Sequence, residues 1–255
     1  MKSYIAFCKK EWLENIRTYK LFIMLVVFVL LGVMNPMMAL LLPQILNGAD
    51  LGGGIVLNLP DPVAMDSWTQ FYSNIGQIGL IVLTIVFSGL TANEFTKDTL
   101  INMITKGIKR RTIIASKFTV ASLIWTASYL LSVGITWAYT AFYFDAMPMS
   151  HPFIALASIW LYGMMLLTLM LLGGVLFKSF YGSLLLTGGI AMILMLLNIN
   201  PDMQRYNPVS LADRGIGVLM GTTSLGDFLP AVYIGIVVTV VAYALTVVVF
   251  NRKQL

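Results

Sequence analysis

The chain has one cysteine, Cys8, and one histidine, His151, among 255 residues. A single cysteine excludes an internal disulfide and a cysteine-rich metal site. One histidine with no second His or Cys nearby builds no histidine metal site, so no metal ligand is expected and His151 reads as a loop residue. No Gly-x-x-x-x-Gly-Lys-Ser/Thr phosphate loop occurs, so the chain is not expected to hydrolyse ATP. With His151 alone, no nucleophile has a paired His and carboxylate, and no catalytic residue is assigned. Charge is scarce: Asp, Glu, Lys and Arg make up 11%, against about a quarter in soluble domains. Ionisable groups are nearly absent from the centres of the apolar runs, which argues against an ion-driven carrier and an intramembrane protease.

What the chain does have is apolar length, with 58% hydrophobic residues. Six runs reach or approach the roughly 20 residues a bilayer requires: 20–42, 69–91, 112–144, 152–177, 181–199 and 228–250. The expected fold is an all-α integral membrane protein, one transmembrane domain over 1–255. Fourteen of the sixteen Lys and Arg residues fall at the N-terminus, in the loop between runs two and three, at Lys178, or in the tail. Arg205 and Arg214 are the other two. This asymmetry puts both termini and the central loop in the cytosol. The net charge of +5 therefore points to anionic lipid or an acidic protein face, and not to nucleic acid. The first run follows a 19-residue basic segment, unlike a cleavable signal, and is expected to stay as an anchor.

Residues 2–19 form an amphipathic helix candidate. Ile5, Cys8, Trp12, Ile16 and Tyr19 make one apolar stripe, with Lys9, Lys10, Glu14 and Arg17 off it, the pattern of a helix lying in the membrane interface. Asn35-Pro36 interrupts the first span. The carbonyl that proline frees needs a partner, so that face is expected to be buried in protein. In the second span Tyr72, Asn74 and Gln77 either serve helix packing or line a passage. Ser128 and Ser132 allow close helix approach, as do Ala231, Gly235 and Thr239. Between spans five and six, Ser210 and Asp213 suggest a capping box opening a short helix that ends before Gly221. That helix either dips into the membrane or rests on its surface.

The central loop, residues 92–118, is the most patterned polar stretch. Asp98 is an N-cap for a short helix from Thr99, with Leu100, Met103 and Ile104 on one face. Gly107 suits the left-handed C′ position, and the cations just beyond it, Lys109, Arg110 and Arg111, complement the helix dipole's negative end. Such a helix is marginal alone. It lies on lipid headgroups or docks a cytosolic partner. Glu94 reads as a cap, as a partner of Arg110 or Arg111, or as a solvated carboxylate.

This stretch resembles the segment after the second span in permeases of ABC-2 type transporters. The matching features are Glu94, Thr99, Leu100 to Ile104, Lys106-Gly107, Arg110 or Arg111, and Lys117-Phe118; Asp98 stands where the family has Gly. The Lys-Gly variant is similar to the branch with bacitracin and lantibiotic immunity permeases and the phenol-soluble-modulin exporter. The resemblance implies a type V exporter fold: an N-terminal elbow helix, a coupling helix over the central loop, and short outer helices before the sixth span. It also implies a separate ATPase in two copies carrying ATP and Mg, a second copy of this chain or a similar permease, and an amphipathic peptide or other apolar cargo. The site residues it implies for coupling are Glu94, Asp98, Thr99, Leu100, Met103, Ile104, Lys106, Gly107, Lys109, Arg110 and Arg111. The place it implies is a bacterial plasma membrane. A secondary carrier or channel, and a scaffold without transport, are the other readings.

Overall fold

A backbone surrounded by lipid satisfies its polar groups only within helices or closed barrels. In the computed structural model, which describes residues 2–48, 60–96 and 109–253, the long apolar runs are helices. Helix α1 (Lys2–Arg17) precedes α2 (Lys20–Gly48), the first span. The second span is composite: α3 (Ala64–Asn74), a π turn at Ile75–Gly79, and α4 (Leu80–Phe87). A short α5 (Ala92–Thr96) follows, then α6 (Arg110–Tyr143), α7 (Pro152–Phe177) and α8 (Phe180–Leu197). Three short helices, α9 (Pro201–Gln204), α10 (Ser210–Asp213) and α11 (Gly215–Met220), lead into α12 (Leu225–Arg252). Six of these segments are long and apolar enough to cross a membrane.

The element bounds depart from the apolar runs where local chemistry extends a helix. The first span continues past Leu42 and through Pro43 to Gly48. The second begins at Ala64, because the Asp66 carboxylate accepts the Val63 N–H at 2.8 Å and closes the first turn. It ends at Phe87, and residues 88–91 turn.

Helix α7 is the hub. About two thirds of its most apolar window is buried (67%), against 11% for α8 and 17% for α12. Helices α6, α8, α12 and the short α10 and α11 pack around it. A Cβ at Gly163 would lie 2.4 Å from the Trp125 ring, so glycine alone lets α6 come this close. Trp125 Nε1 donates to the Trp160 carbonyl at 3.1 Å, and Tyr129 donates to that of Leu156 at 2.7 Å. On α12 the buried residues Phe228, Ala231, Gly235, Ala242, Thr246 and Phe250 recur at helical spacing, with Thr239 half-buried beside them.

The carbonyl freed by Pro36 belongs to Gly32, and it accepts a hydrogen bond from Thr136 Oγ1 on α6 at 3.1 Å. Asn35, fully buried, donates to Thr136 at 3.3 Å and accepts from Asn74 Nδ2 at 2.8 Å. The π turn starts directly after Asn74, so two helix irregularities in neighbouring spans are tied together within the bundle. Ser128 and Ser132 are fully buried on α6, and a Cβ at Gly32 would meet the Ser132 carbonyl at 3.1 Å.

The segment before α12 differs from the single capped helix its sequence suggests. It breaks at Arg214 into α10 and α11, and Gly221 ends it at φ +75°. Val209, not Ser210, holds the N-cap position. Ser210 Oγ bonds instead to the Gln204 carbonyl at 2.6 Å and to Asn198 at 3.1 Å. Leu211, Val218 and Leu219 are buried, and Ser158 of α7 donates to the Leu211 carbonyl at 2.7 Å. These helices pack against α3, α7 and α12, with their apolar residues turned into the bundle.

Replacing Thr136 by Val keeps the shape but leaves the Gly32 carbonyl and the Asn35 amide each short of a partner. Thermal melting in detergent should show a loss of about 0.6–2 kcal/mol, and a double-mutant cycle with Asn35→Ala should show strong coupling. Additive losses would mean the network carries no joint energy.

Candidate functional site

The elbow helix α1 lies with its apolar stripe outward: Ile5, Trp12, Ile16 and Tyr19 are exposed. Its buried face is Phe7, Glu11 and Asn15, at i, i+4 and i+8. The exposed face is thus the one the stripe marks, and the face turned to protein carries a carboxylate. Tyr19, at φ 58°, breaks the helix and turns the chain into α2.

That carboxylate meets two other segments. Lys117, in the second turn of α6, donates from Nζ to both Glu11 oxygens at 3.1 Å. It also pairs with Glu94 Oε1 of α5 at 3.0 Å. Lys10 Nζ closes the group from the rim, 2.7 Å from Glu94, 2.8 Å from Glu14 and 3.0 Å from Glu11. The side chains of Glu11, Lys117 and Glu94 are only 2–5% exposed. Among the described residues, Glu94 therefore pairs with Lys10 and Lys117 and not with Arg110 or Arg111, and it is not a solvated carboxylate. The reason is tertiary: α5 turns its carboxylate into the bundle where the elbow crosses.

Among the described residues, Lys10 and Lys117 bring two ammonium groups to three carboxylates, and the Lys20 charge also reaches Glu14. Glu11, Glu14 and Glu94 place oxygens within 4.8 Å of one another, a spacing that suits a cation. Here the lysine ammonium groups supply the positive charge. Burial opposes the charged form of Lys10, yet the carboxylates of Glu94 and Glu11 and the hydrogen bonds of Glu14 and Glu94 hold its pKa above the ordinary lysine value. Burial likewise pushes Glu14 up, but its hydrogen bond to Lys10 and the charges of Lys117, Lys10 and Lys20 bring it below the ordinary value.

A second set of contacts fixes the other side of the same short helix. Phe95, next to Glu94, packs edge-on against Phe250 of α12 at 6.0 Å. Lys178 and Lys253 lie 5.5 and 5.9 Å from its ring centre. Lys253 donates to the carbonyls of Val175 and Leu176 at the end of α7. Arg110, the first residue of α6, donates from Nη1 to the carbonyls of Phe250, Asn251 and Lys253 at 2.9, 3.2 and 2.6 Å. Those are the carbonyls a helix end leaves without partners, and cations there also meet the dipole's negative end. Burial and the neighbouring Lys178 charge lower the Lys253 pKa.

Of the coupling residues inferred from sequence, Glu94, Lys109, Arg110 and Arg111 are in the described structure. Glu94 is buried, Arg110 spans to α12, and Lys109 and Arg111 are exposed. Asp98, Thr99, Leu100, Met103, Ile104, Lys106 and Gly107 lie outside the described residues. The passage candidates separate: Tyr72 is buried, Asn74 is half-buried and bonded to Asn35, and Gln77 is exposed. Sequence reasoning passed over Glu11, Lys10, Phe95 and Lys253. The available signal was Phe7, Glu11 and Asn15 recurring every fourth residue on the side away from the apolar stripe.

Lys117→Met takes from Glu11 and Glu94 the buried cation they share and leaves them only Lys10 at the rim among the described cations. Breaking a buried pair in this way costs about 3–5 kcal/mol, read as a lower melting temperature and faster proteolysis of α1. Adding Glu11→Leu should recover a large part of the loss; no recovery would show the cluster is not an energetic unit. The pH dependence has two limits. Glu14, depressed when folded, stabilises above its unfolded pKa and loses this as pH falls through the lower folded value. Lys10, raised when folded, stabilises below its unfolded pKa and loses this as pH rises through the higher folded value. Elbow protection should therefore be flat from about pH 5.5 to 9.5 and fall on acidification; a midpoint near neutrality would contradict the assignment.

Residues 16–198 match a family model described as ABC-2 family transporter protein. The chain is also similar to the "Uncharacterized transmembrane protein YxlG" of Bacillus subtilis (strain 168), 21% identical over 222 residues, with 86% of each chain covered. The family match takes in α2 to α8, both sides of the central loop and the Lys117–Glu94 pair. With six apolar spans and a match over most of its length, the chain belongs to the ABC-2 family of transporter proteins, as a multi-pass membrane permease component.

Proposed function

We propose that this chain is the membrane subunit of an exporter in a bacterial plasma membrane, with both termini cytosolic and the central loop gripping a separate ATPase. Two copies, or this chain with a similar permease, assemble with two ATPase subunits that bind ATP and Mg. The cargo is an amphipathic or apolar molecule, with peptide or peptide antibiotic as the class suggested by resemblance.

The observation that carries this reading is the double anchoring of the loop's two ends. Residues before it, in α5, are held by Glu94 to the elbow and α6, and by Phe95 to α12. The residue after it, Arg110, is held to the end of α12. A displacement applied to residues 97–108 is passed to several spans at once, which is what a mechanical coupling element requires. Such a displacement selects between two packings of the bundle. Lys109 and Arg111 are exposed beside the loop and offer an acidic ATPase face two cations. Coupling by Glu94, Asp98, Thr99, Leu100, Met103, Ile104, Lys106, Gly107, Lys109, Arg110 and Arg111 divides accordingly. Glu94 and Arg110 anchor the loop, and the others form the gripping surface. For the passage, Gln77 on the exposed side of the π turn is the candidate we retain, because Tyr72 and Asn74 are committed to packing.

The test is Gly107→Pro combined with Lys109→Glu and Arg111→Glu, leaving Arg110 intact because it holds α12. Co-purification with the ATPase should fall at least about tenfold, equivalent to ~1.4 kcal/mol, and cargo export from cells should stop while membrane insertion persists. Unchanged ATPase capture with normal export would remove the docking assignment. Cargo movement in liposomes driven by an ion gradient alone would favour a carrier.

A further inference from the structure

At the end of the bundle away from α1 and the tail, the cations of the 200–227 segment, Arg205 and Arg214, line one cleft. Pro201, Asp202, Tyr206 and Asp227 complete it. Its volume of about 390 Å³ falls in the ~300–1,000 Å³ range of small-ligand sites. The cleft is electrically balanced but not internally satisfied. Arg205 Nε stands 3.7 Å from Asp227 Oδ1, too long for a good charged hydrogen bond. Arg205 also donates to the Gly226 carbonyl at 3.2 Å, and Asp227 accepts from Ser224 at 2.7 Å. Among the described residues, the Arg214 guanidinium and the Asp202 carboxylate take part in no ion pair. One spare cation and one spare anion therefore face the same space.

The surroundings of the cleft are those of a membrane interface. It lies where α8 ends at Leu197 and α12 begins at Leu225. Leu196, Ile199 and Met203 are exposed beside it, and α8 is almost bare along its apolar length. A soluble anion would need none of this apolar surface. A lipid would use all of it, with its head among the charges and its tails along α8.

We propose that this cleft binds the headgroup of a zwitterionic phospholipid of the ethanolamine class, with the phosphate on Arg214 and Arg205, the ammonium on Asp202, and the acyl chains along α8. Guanidinium groups match phosphate by their planar donor fork. A purely anionic headgroup would face Asp202 without compensation, and a headgroup without phosphate would leave Arg214 unpaired. The two sides of the selectivity thus rest on two different residues.

The experiment is native mass spectrometry of the purified full chain in detergent, offered an equimolar mixture of phosphatidylethanolamine, phosphatidylglycerol and diacylglycerol. Wild type should retain phosphatidylethanolamine over diacylglycerol by about tenfold, as charge-assisted hydrogen bonds allow, and over phosphatidylglycerol by a smaller margin. Arg214→Gln should drop both phospholipids to the diacylglycerol level. Asp202→Asn should remove only the preference for phosphatidylethanolamine over phosphatidylglycerol. An unfolded variant would lose diacylglycerol too, so these opposite patterns do not arise from misfolding. The proposal is overturned if wild type shows no headgroup preference, or if Arg214→Gln retains phosphatidylethanolamine unchanged. It is equally overturned if soluble phosphoethanolamine displaces the lipid at equal concentration, or if an amphipathic peptide does so in an Arg214-dependent way.

Discussion

The ion cluster of Glu11, Glu94 and Lys117, closed by Lys10 and Glu14, is the constraint on which the base of this molecule depends. Taking such groups out of water costs several kcal/mol each, so the cluster forms only if the three segments carrying them arrive together. Those segments are separate in sequence: the elbow helix, α5 beyond the second span, and the start of α6. Apolar contact would hold them together with no preferred register. Paired charges set one geometry, because a shifted helix would leave a buried charge alone. The shared Glu94 oxygen, 2.7 Å from Lys10 and 3.0 Å from Lys117, makes the elbow and α6 answer to the same residue of α5.

The rest of the base is built on helix ends. Arg110 satisfies the last carbonyls of α12, and Lys253 satisfies those of α7. Each cation crosses from one span to the terminus of another, so the ends of α6, α7 and α12 are stitched in sequence, with Phe95 between them. Deeper in the bundle the ties are uncharged: Thr136 to Gly32, and Asn35 to Asn74. At the far end Leu211 and Val218 are buried among α3, α7 and α12, and the ties are again polar and charged, Ser158 to the Leu211 carbonyl and Arg205 to Asp227. The composition of the ties follows the local cost of desolvating charge, lowest where water is near and highest in the middle of the spans.

Much of this was legible in the sequence, for definite reasons. Run length announces a span because lipid permits so few backbone structures. Pro36 announced a protein-facing side of the first span, since its freed carbonyl had to be satisfied, and Thr136 satisfies it. The small residues Ala231 and Gly235 marked the face α12 presents to α7. What escaped is what tertiary contact decides. Glu94 was read as a cap, as a partner of Arg110 or Arg111, or as a solvated carboxylate, while among the described residues it pairs with Lys10 and Lys117. Glu11 was passed over, because the face it occupies had to be known before its burial could be. The early start of the second span depended on one Asp66 hydrogen bond, and the break of the far segment at Arg214 on how α7 and α12 grip its two halves.

The central claim is that one buried cluster holds the elbow and the approach to the central loop as a single unit. Hydrogen–deuterium exchange on the Lys117→Met chain tests it most directly. The account predicts that amides of Lys2–Arg17 and Ala92–Thr96 lose protection together, with Ser210–Met220 at the far end unchanged. If the elbow keeps its protection while Ala92–Thr96 opens, or the reverse, the two are held separately and the account is wrong.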